Sequence, residues 1–210
     1  MISVRKFVFN PFQVNTYVLY DESGDCVIID PGCSDGVESL ELSDFLKSEG
    51  LKPVRILLTH THIDHVMGVN MLGDMLGLGA EGHRGGMAFL DHSMVTAANY
   101  GLDLERNPVL AEHLEEGDEI TFGNSRLEVL YTPGHADGSV CFLAREDGFV
   151  VVGDVLFRSS IGRTDFPTGD YDLLRKSIFE KLFVLPDETV VYPGHGPETT
   201  IGFEKNNNPF

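Results

Sequence analysis

The sequence predicts an α+β fold in which two β-rich halves pack face to face with helices outside them. Apolar runs of strand length, rich in β-branched and aromatic residues, crowd both ends of the chain, while helical spacing fills the stretches between and after them. A sheet with apolar faces must cover them, and two stacked sheets flanked by helices do so. A short internal echo points the same way: Tyr131-Thr132-Pro133-Gly134-His135 and Tyr192-Pro193-Gly194-His195 each follow an apolar strand.

Taken in order, residues 4–9, 16–20 and 26–30 read as strands. A helix over 36–49 follows, with Asp35 and Glu38 at capping-box spacing and Gly50 as its stop. Residues 54–58 form a strand of the buried kind. Val66, Val69, Leu72 and Met75 or Leu76 recur at helical spacing over 64–76. A short strand over 78–81 and a helix over 87–99 come next. Strands are expected near 119–122, 126–131, 139–144 and 149–152, then a helix over 171–183, a strand over 189–192 and a short helix after Glu198. No low-complexity linker or composition break interrupts the chain, so one domain over residues 1–210 is expected.

Composition sets the outer limits. The hydrophobic fraction of 42% marks a globular chain rather than a disordered one. Fifteen basic residues against 33 acidic ones leave a net charge of −18. Nucleic-acid binding runs on Lys and Arg neutralising phosphates, so no such partner is expected. The acidic stretch 103–119 reads as solvated surface. No apolar run reaches bilayer-spanning length, and the N-terminus reads as an immediate strand, so neither a membrane association nor a signal peptide is expected. Cys26, Cys33 and Cys141 form no CxxC pair, and the first and last sit inside apolar runs. They read as buried thiols in a reducing compartment, which makes the cytoplasm the expected location.

The histidines and two aspartates fall in a pattern. Residues 54–58 lead into Thr59-His60-Thr61-His62-Ile63-Asp64-His65, and later strands lead into His135, Asp154 and His195. Loops at the carboxyl ends of strands gather over a rigid base, so four distant segments can bring five histidines and two aspartates to one rim. Imidazole and carboxylate donors without thiolate suit zinc, iron or manganese. In an extended segment His60 and His62 point the same way. Asp64 and His65, where a helix begins, leave in another direction and can serve a second ion, and Asp154 has two oxygens with which to bridge. Two ions roughly 3.5–4 Å apart can share a hydroxide. Standing alone, His135 or His195 would ordinarily be a loop residue, and Asp154 a turn or cap residue. Three histidines and an aspartate within the run 60–65, straight after a buried strand, have few structural uses, and that run carries the reading. His83, His92 and His113 default to surface or structural roles, with His83 the one that follows a strand toward the same rim.

The run 59–65 resembles the T-H-x-H-x-D-H signature of the metallo-β-lactamase superfamily, with His135, Asp154 and His195 following in that family's order. The resemblance extends from about residue 15 to 203. Thr132-Pro133-Gly134-His135, Gly153-Asp154-Val155-Leu156-Phe157, Gly162-Arg163-Thr164-Asp165 and Tyr192-Pro193-Gly194-His195-Gly196 are similar to the glyoxalase II-like branch, the hydroxyacylglutathione hydrolases and their short relatives. This implies an αββα sandwich, with His60, His62 and His135 on one metal, Asp64, His65 and His195 on a second, and Asp154 bridging. Asp30, in Asp30-Pro31-Gly32, matches a loop beneath the site and is a candidate to support a ligand from behind; as a plain turn residue it would look the same.

Branches separate on the same residues. Many β-lactamases of this fold place a cysteine among the ligands of the second metal, whereas Asp154 follows the strand here. Flavodiiron proteins carry a glutamate where this chain has His62, and the RNA-processing branch needs a further domain and a basic surface. Classical glyoxalase II adds a helical extension that contacts glutathione, and the short stretch after His195 holds no counterpart. Arg163 or Lys205 is then a candidate to hold a substrate carboxylate, each equally suited to an ordinary salt bridge. The expected activity is hydrolysis of a small glutathione-type thioester, S-lactoylglutathione-like. It would use two divalent ions, zinc first with iron or manganese accepted by the same donors, and Asp64 as the catalytic residue orienting the attacking hydroxide. Two alternatives stay open: a lactonase or other metallohydrolase on the same site, and a mononuclear iron persulfide dioxygenase.

Overall fold

The computed structural model describes residues 1–210. Strands β1 (Ser3–Phe9), β2 (Val14–Tyr20), β3 (Asp25–Ile29), β4 (Lys52–Leu57), β5 (Ala80–Gly82) and β6 (Leu110–His113) form one sheet in that order. Its first three strands run antiparallel and β3 to β6 run parallel. The second sheet takes β7 (Glu119–Phe122), β8 (Ser125–Tyr131), β9 (Val140–Ala144) and β10 (Phe149–Gly153). A small ribbon of β11 (Leu156–Phe157) and β12 (Ser160–Ile161) follows, and β13 (Val190–Pro193) and β14 (Thr199–Thr200) then complete the second sheet in the order β14-β13-β10-β9-β8-β7. Within it only β10 and β13 are parallel.

Strand alternation builds the layers. Val27 and Ile29 of β3 point between the sheets, where they meet Val140 and Phe142 of β9 and Val151 of β10. Cys26 and Ile28 point the other way, into a core shared with Leu42 and Leu46 of α1 (Gly36–Ser48) and with α2 (Ile63–Val66) and α3 (Val69–Leu76). Helices α4 (Met87–Leu90) and α5 (Ser93–Asn99) extend this outer layer. On the far side Cys141, Leu143, Val150 and Val152 pack against α6 (Tyr171–Ser177) and α7 (Ile201–Asn207). The result is an αββα sandwich with three apolar cores, and the strands buried on both faces read as continuous apolar runs for that reason. No helix is long and apolar enough to cross a membrane.

The chain departs from the sequence expectations in several places. The helix expected over 64–76 is two helices, because Gly68 turns out of line to donate its N–H to Pro31 O at 2.7 Å, pressed so close to Cys33 that a side chain would collide with its sulfur. The helix expected over 87–99 is also broken. Asn107 holds the break, donating to Asp91 O at 2.6 Å and accepting from Met94 N–H at 2.8 Å. The helix over 171–183 is α-helical only to Ser177 and continues as a π-type turn over Ile178–Leu182. The acidic stretch 103–119 is largely exposed, yet it contains β6, a charged edge strand of the kind that discourages further pairing. At the start of α1, Asp35 caps the N–H groups of Val37 and Glu38, but Glu38 does not complete the box. Its carboxylate reaches Ser34 N and Asn10 N instead, both at 2.7 Å, and so ties the helix to the turn after β1.

Candidate metal centre

All seven residues singled out by the sequence lie at one rim of the sandwich. His60 and His62 follow β4, His62 with an extended backbone, and Asp64 and His65 lie in α2, for which His62 is the N-cap. His135 follows β8, Asp154 follows β10 and His195 follows β13. Three groups of donor atoms result, each with its members within 4.8 Å of one another: His60, His62 and His135; His60, His65 and Asp154; Asp64, His65 and His195. His60 Nε2 and His135 Nε2 approach His62 Nδ1 at 3.1 and 2.9 Å. His195 Nε2 lies 3.0 Å from Asp64 Oδ2 and 3.6 Å from Asp154 Oδ2, and His65 Nε2 lies 3.4 Å from Asp154 Oδ1.

The tautomers follow from what stands behind each ring. Thr59 donates its hydroxyl to Asp30 Oδ2 at 2.6 Å, so its oxygen is left to accept from His60 Nδ1–H at 3.2 Å. His65 Nδ1 donates to the same Asp30 oxygen at 2.9 Å. His135 Nδ1 donates to Arg163 O at 2.7 Å and His195 Nδ1 to Gln13 O at 3.2 Å. In each ring Nε2 is then the nitrogen that faces its neighbours, the arrangement that carbonyl and carboxylate partners impose on metal-binding imidazoles. The buried atoms His62 Nε2, His65 Nε2 and Asp154 Oδ1 have no hydrogen-bond partner. Unpartnered buried polar atoms are rare in folded proteins, and cations seated among these groups account for the last two.

Electrostatics agrees with that fit. Burial, helped by the neighbouring imidazoles, holds His60 well below the usual histidine range and His62 at about 4, and burial also depresses His135, so these rings keep their lone pairs. Burial alone would raise Asp154 and Asp64, but the facing His65 and His195 outweigh it and hold both carboxyls low. Burial pulls His65 down, and Asp64, Asp154 and Asp30 together more than reverse it. Burial pulls His195 down as well, and Asp64 and Asp154 more than reverse it, so two of the five imidazoles sit in a negative field that a cation would occupy in place of a proton. Five imidazoles, three of them held neutral, and two carboxylates, without thiolate, form a donor set for zinc, iron or manganese.

Asp30 lies beneath the site, with φ of +50° and bonds to Thr59 N, Thr59 Oγ1 and His65. Several supporting residues carried no sequence signal. Asn15 N–H donates to Gly194 O at 2.7 Å, and its side chain donates to Pro193 O and Gly196 O, both at 2.9 Å, which fixes the loop bearing His195. An asparagine inside a strand looks like any other. Gly194 is itself required, since a Cβ there would run into Asp154 Oδ1 and His65 Cε1.

A cleft of about 1000 Å³ opens over the donors. Arg163 lines it, but its guanidinium is paired with Asp165 through two bonds of 2.6 Å. Lys205 is occupied elsewhere, with Asp187 Oδ1 at 2.6 Å. His83 stacks on Tyr131 at 4.5 Å and belongs to none of the donor groups. The three cysteines are free and buried, and burial pushes Cys33 up to about 11.

Fold and rim together define a class, an αββα sandwich that gathers imidazole and carboxylate donors at the carboxyl ends of its strands. The sequence profile of the metallo-beta-lactamase superfamily matches residues 9–195, and the chain belongs to that superfamily. It is 37% identical over 207 residues to the probable metallo-hydrolase YqgX of Bacillus subtilis, covering 98% of this chain and 96% of that one. It is also 37% identical over 202 residues to the hydroxyacylglutathione hydrolase GloC of Haemophilus influenzae, covering 95% and 93%. Among solved structures, the BLEG-1 B3 metallo-beta-lactamase superposes with a TM-score of 0.90 at 37% identity, covering 100% of this chain and 99% of that one. TTHA1623 in a di-iron-bound form superposes with a TM-score of 0.88 at 40% identity, covering 99% and 100%.

Proposed function

We propose that this metallohydrolase cleaves small thioesters, with the glutathione-type thioester as the first candidate. His60, His62 and His135 would hold one divalent ion, Asp64, His65 and His195 a second, and Asp154 both. The observation that carries the reading is the set of overlapping donor groups sharing His60 and His65 at the floor of an open cleft. Zinc is the first candidate metal. A neighbour solved with two irons supports two-ion occupancy and keeps iron in view. GloC, a relative by sequence, supports the thioester.

Bound metal supplies a water acidified toward a pKa of about 7 and a positive field for the carbonyl oxygen. The remaining chemistry falls to the chain and the substrate. Asp64, which lines the cleft, accepts a hydrogen bond from the attacking water and sets its direction. Oxygen adds to the acyl carbon, the C–S bond breaks, the acid keeps the oxygen and the thiol takes the proton. A thiolate with a pKa near ~8.5 departs without a strong acid, whereas an amide nitrogen needs a proton donor. A β-lactam activity is the second reading, favoured by the likeness to the BLEG-1 enzyme.

The test measures kcat/KM on one preparation at one metal loading for S-lactoylglutathione, a lactone and a β-lactam, with oxygen uptake on glutathione persulfide. The thioester should lead by at least about tenfold. A lactone or β-lactam in front would replace the reading, and oxygen uptake with one iron per chain would make the protein a persulfide dioxygenase.

A further inference from the structure

Above the donors the cleft is walled by aromatic rings. Phe89 and Phe166 stand edge-on to His62, with centroids 4.9 and 5.5 Å away. Phe12 and Tyr100 form a T-shaped pair at 5.0 Å, and Phe157 lies 6.3 Å from the His195 ring. All five line the cleft; the four phenylalanines are half-buried and Tyr100 is 54% exposed. Rings left open toward a cleft keep apolar surface that a guest can cover.

The charges are as informative. Besides Asp64 and Asp154, the carboxylates and the Lys or Arg lining the cleft are Asp137 and Arg163; His92, outside the donor groups, adds one imidazole whose Nδ1 lies 2.9 Å from Ala88 O. Arg163 is not a free cation: it is forked onto Asp165, and its guanidinium carbon lies 3.9 Å from the Phe166 ring centroid. The net charge of −18 gives the surroundings no general pull on anions. Glutathione brings two carboxylates and an ammonium, and these walls offer its carboxylates no unpaired Lys or Arg.

We propose that the cleft selects its thioester by an uncharged apolar arm, an aromatic or branched alkyl group beside the scissile bond, seated among Phe12, Phe89, Tyr100 and Phe166. The reacting group rests on the thioester reading above; the arm rests on the walls. Glutathione then serves as a carrier that the enzyme tolerates without gripping its charges.

Two measurements test this. The first compares kcat/KM for the S-acetyl thioesters of benzyl mercaptan, N-acetylcysteamine and glutathione. The benzyl compound should exceed the acetamidoethyl one by about tenfold, the yield of burying one ring, and glutathione should gain nothing over the latter. In Phe89→Ala and Phe166→Ala the benzyl advantage should fall toward one, mainly through KM, with metal content measured alongside because both rings touch His62. Tyr100→Ala, whose ring packs on Phe12 and not on His62, should show the same direction with full metal. The second measurement is calorimetric binding of N-benzylacetamide, the uncleaved amide counterpart, which should weaken about tenfold in the same variants. A glutathione thioester that leads by tenfold and loses its lead in Arg163→Ala overturns the proposal. If none of the thioesters is turned over, the thioester reading falls, while N-benzylacetamide binding still decides the apolar arm: tight and ring-dependent supports it, absent or ring-independent refutes it.

Discussion

Two oxygens of Asp30 organise two of the seven donors, His65 directly and His60 through Thr59. Oδ1 takes Thr59 N–H at 2.7 Å, while Oδ2 takes both the Thr59 hydroxyl and His65 Nδ1. Asp30 is buried and its own carbonyl is held by Thr16 Oγ1 at 2.7 Å, so the carboxylate cannot drift. Replacing it frees His65 to turn and lets Thr59 donate to His60, which reverses that ring's tautomer. Asp30→Ala should therefore weaken metal binding 10–100-fold, on the order seen when partners behind metal ligands are removed, as measured by competition with a chelator of known affinity. Asp154→Ala should do more, since it removes the carboxylate placed between His65, His135 and His195. Elemental analysis should find at least one ion lost per chain, together with turnover; two tightly held ions in that variant would remove Asp154 from the ligand set.

At the scale of elements, the two sheets are joined at both ends of the sandwich. At the rim, Val140 N–H reaches Thr59 O at 2.8 Å. Away from it, Asp21 after β2 accepts from Ser23 in its own turn and from Asn124 N–H and the Ser125 hydroxyl at the β7–β8 turn, at 2.8 and 2.7 Å. Burial pushes the Asp21 carboxyl up, but these donors outweigh it and bring it down to about 2. A carboxyl lowered on folding adds stability above its ordinary pKa of about 3.8, and that stability drains away as the pH falls toward 2. Asp21→Ala should cost about 2 kcal/mol at pH 7, and the gap to the parent should narrow between pH 4 and pH 2, read from urea midpoints at each pH. The same scale shows what a sequence can and cannot display. Strands such as 140–144 and 149–153 were legible because burial on both faces demands unbroken apolar residues. The breaks at Gly68 and at Asp91-His92 were not, because Pro31, Cys33 and Asn107 impose them from far along the chain. The metal rim was legible for the opposite reason: its donors are residue types with few other uses at those positions. The residues that aim the donors, such as Asn15 and Gln13, act through common amides and carbonyls, and only tertiary placement gives them a role.

For the molecule as a whole, bound metal and stability are linked, because a ligand held only by the folded state stabilises it. Prolonged chelation should abolish hydrolysis, and zinc, manganese or iron should restore it; full turnover by a verified metal-free sample would end the metallohydrolase reading. Reloading at a thousandfold excess over Kd should contribute about 4 kcal/mol, a rise in Tm on the order of 10 °C by calorimetry. The distribution of donors gives this linkage a direction in time. Every one of the three groups takes two members from the stretch before β7 and one from the stretch after it: His135, Asp154 or His195. A nascent chain that has exposed only its first half would offer each ion two members of its group, His60 with His62 or Asp64 with His65. On this assignment the complete site for either ion forms only once translation has delivered Asp154 together with His135 or His195, so full metal loading would follow synthesis of the second sheet.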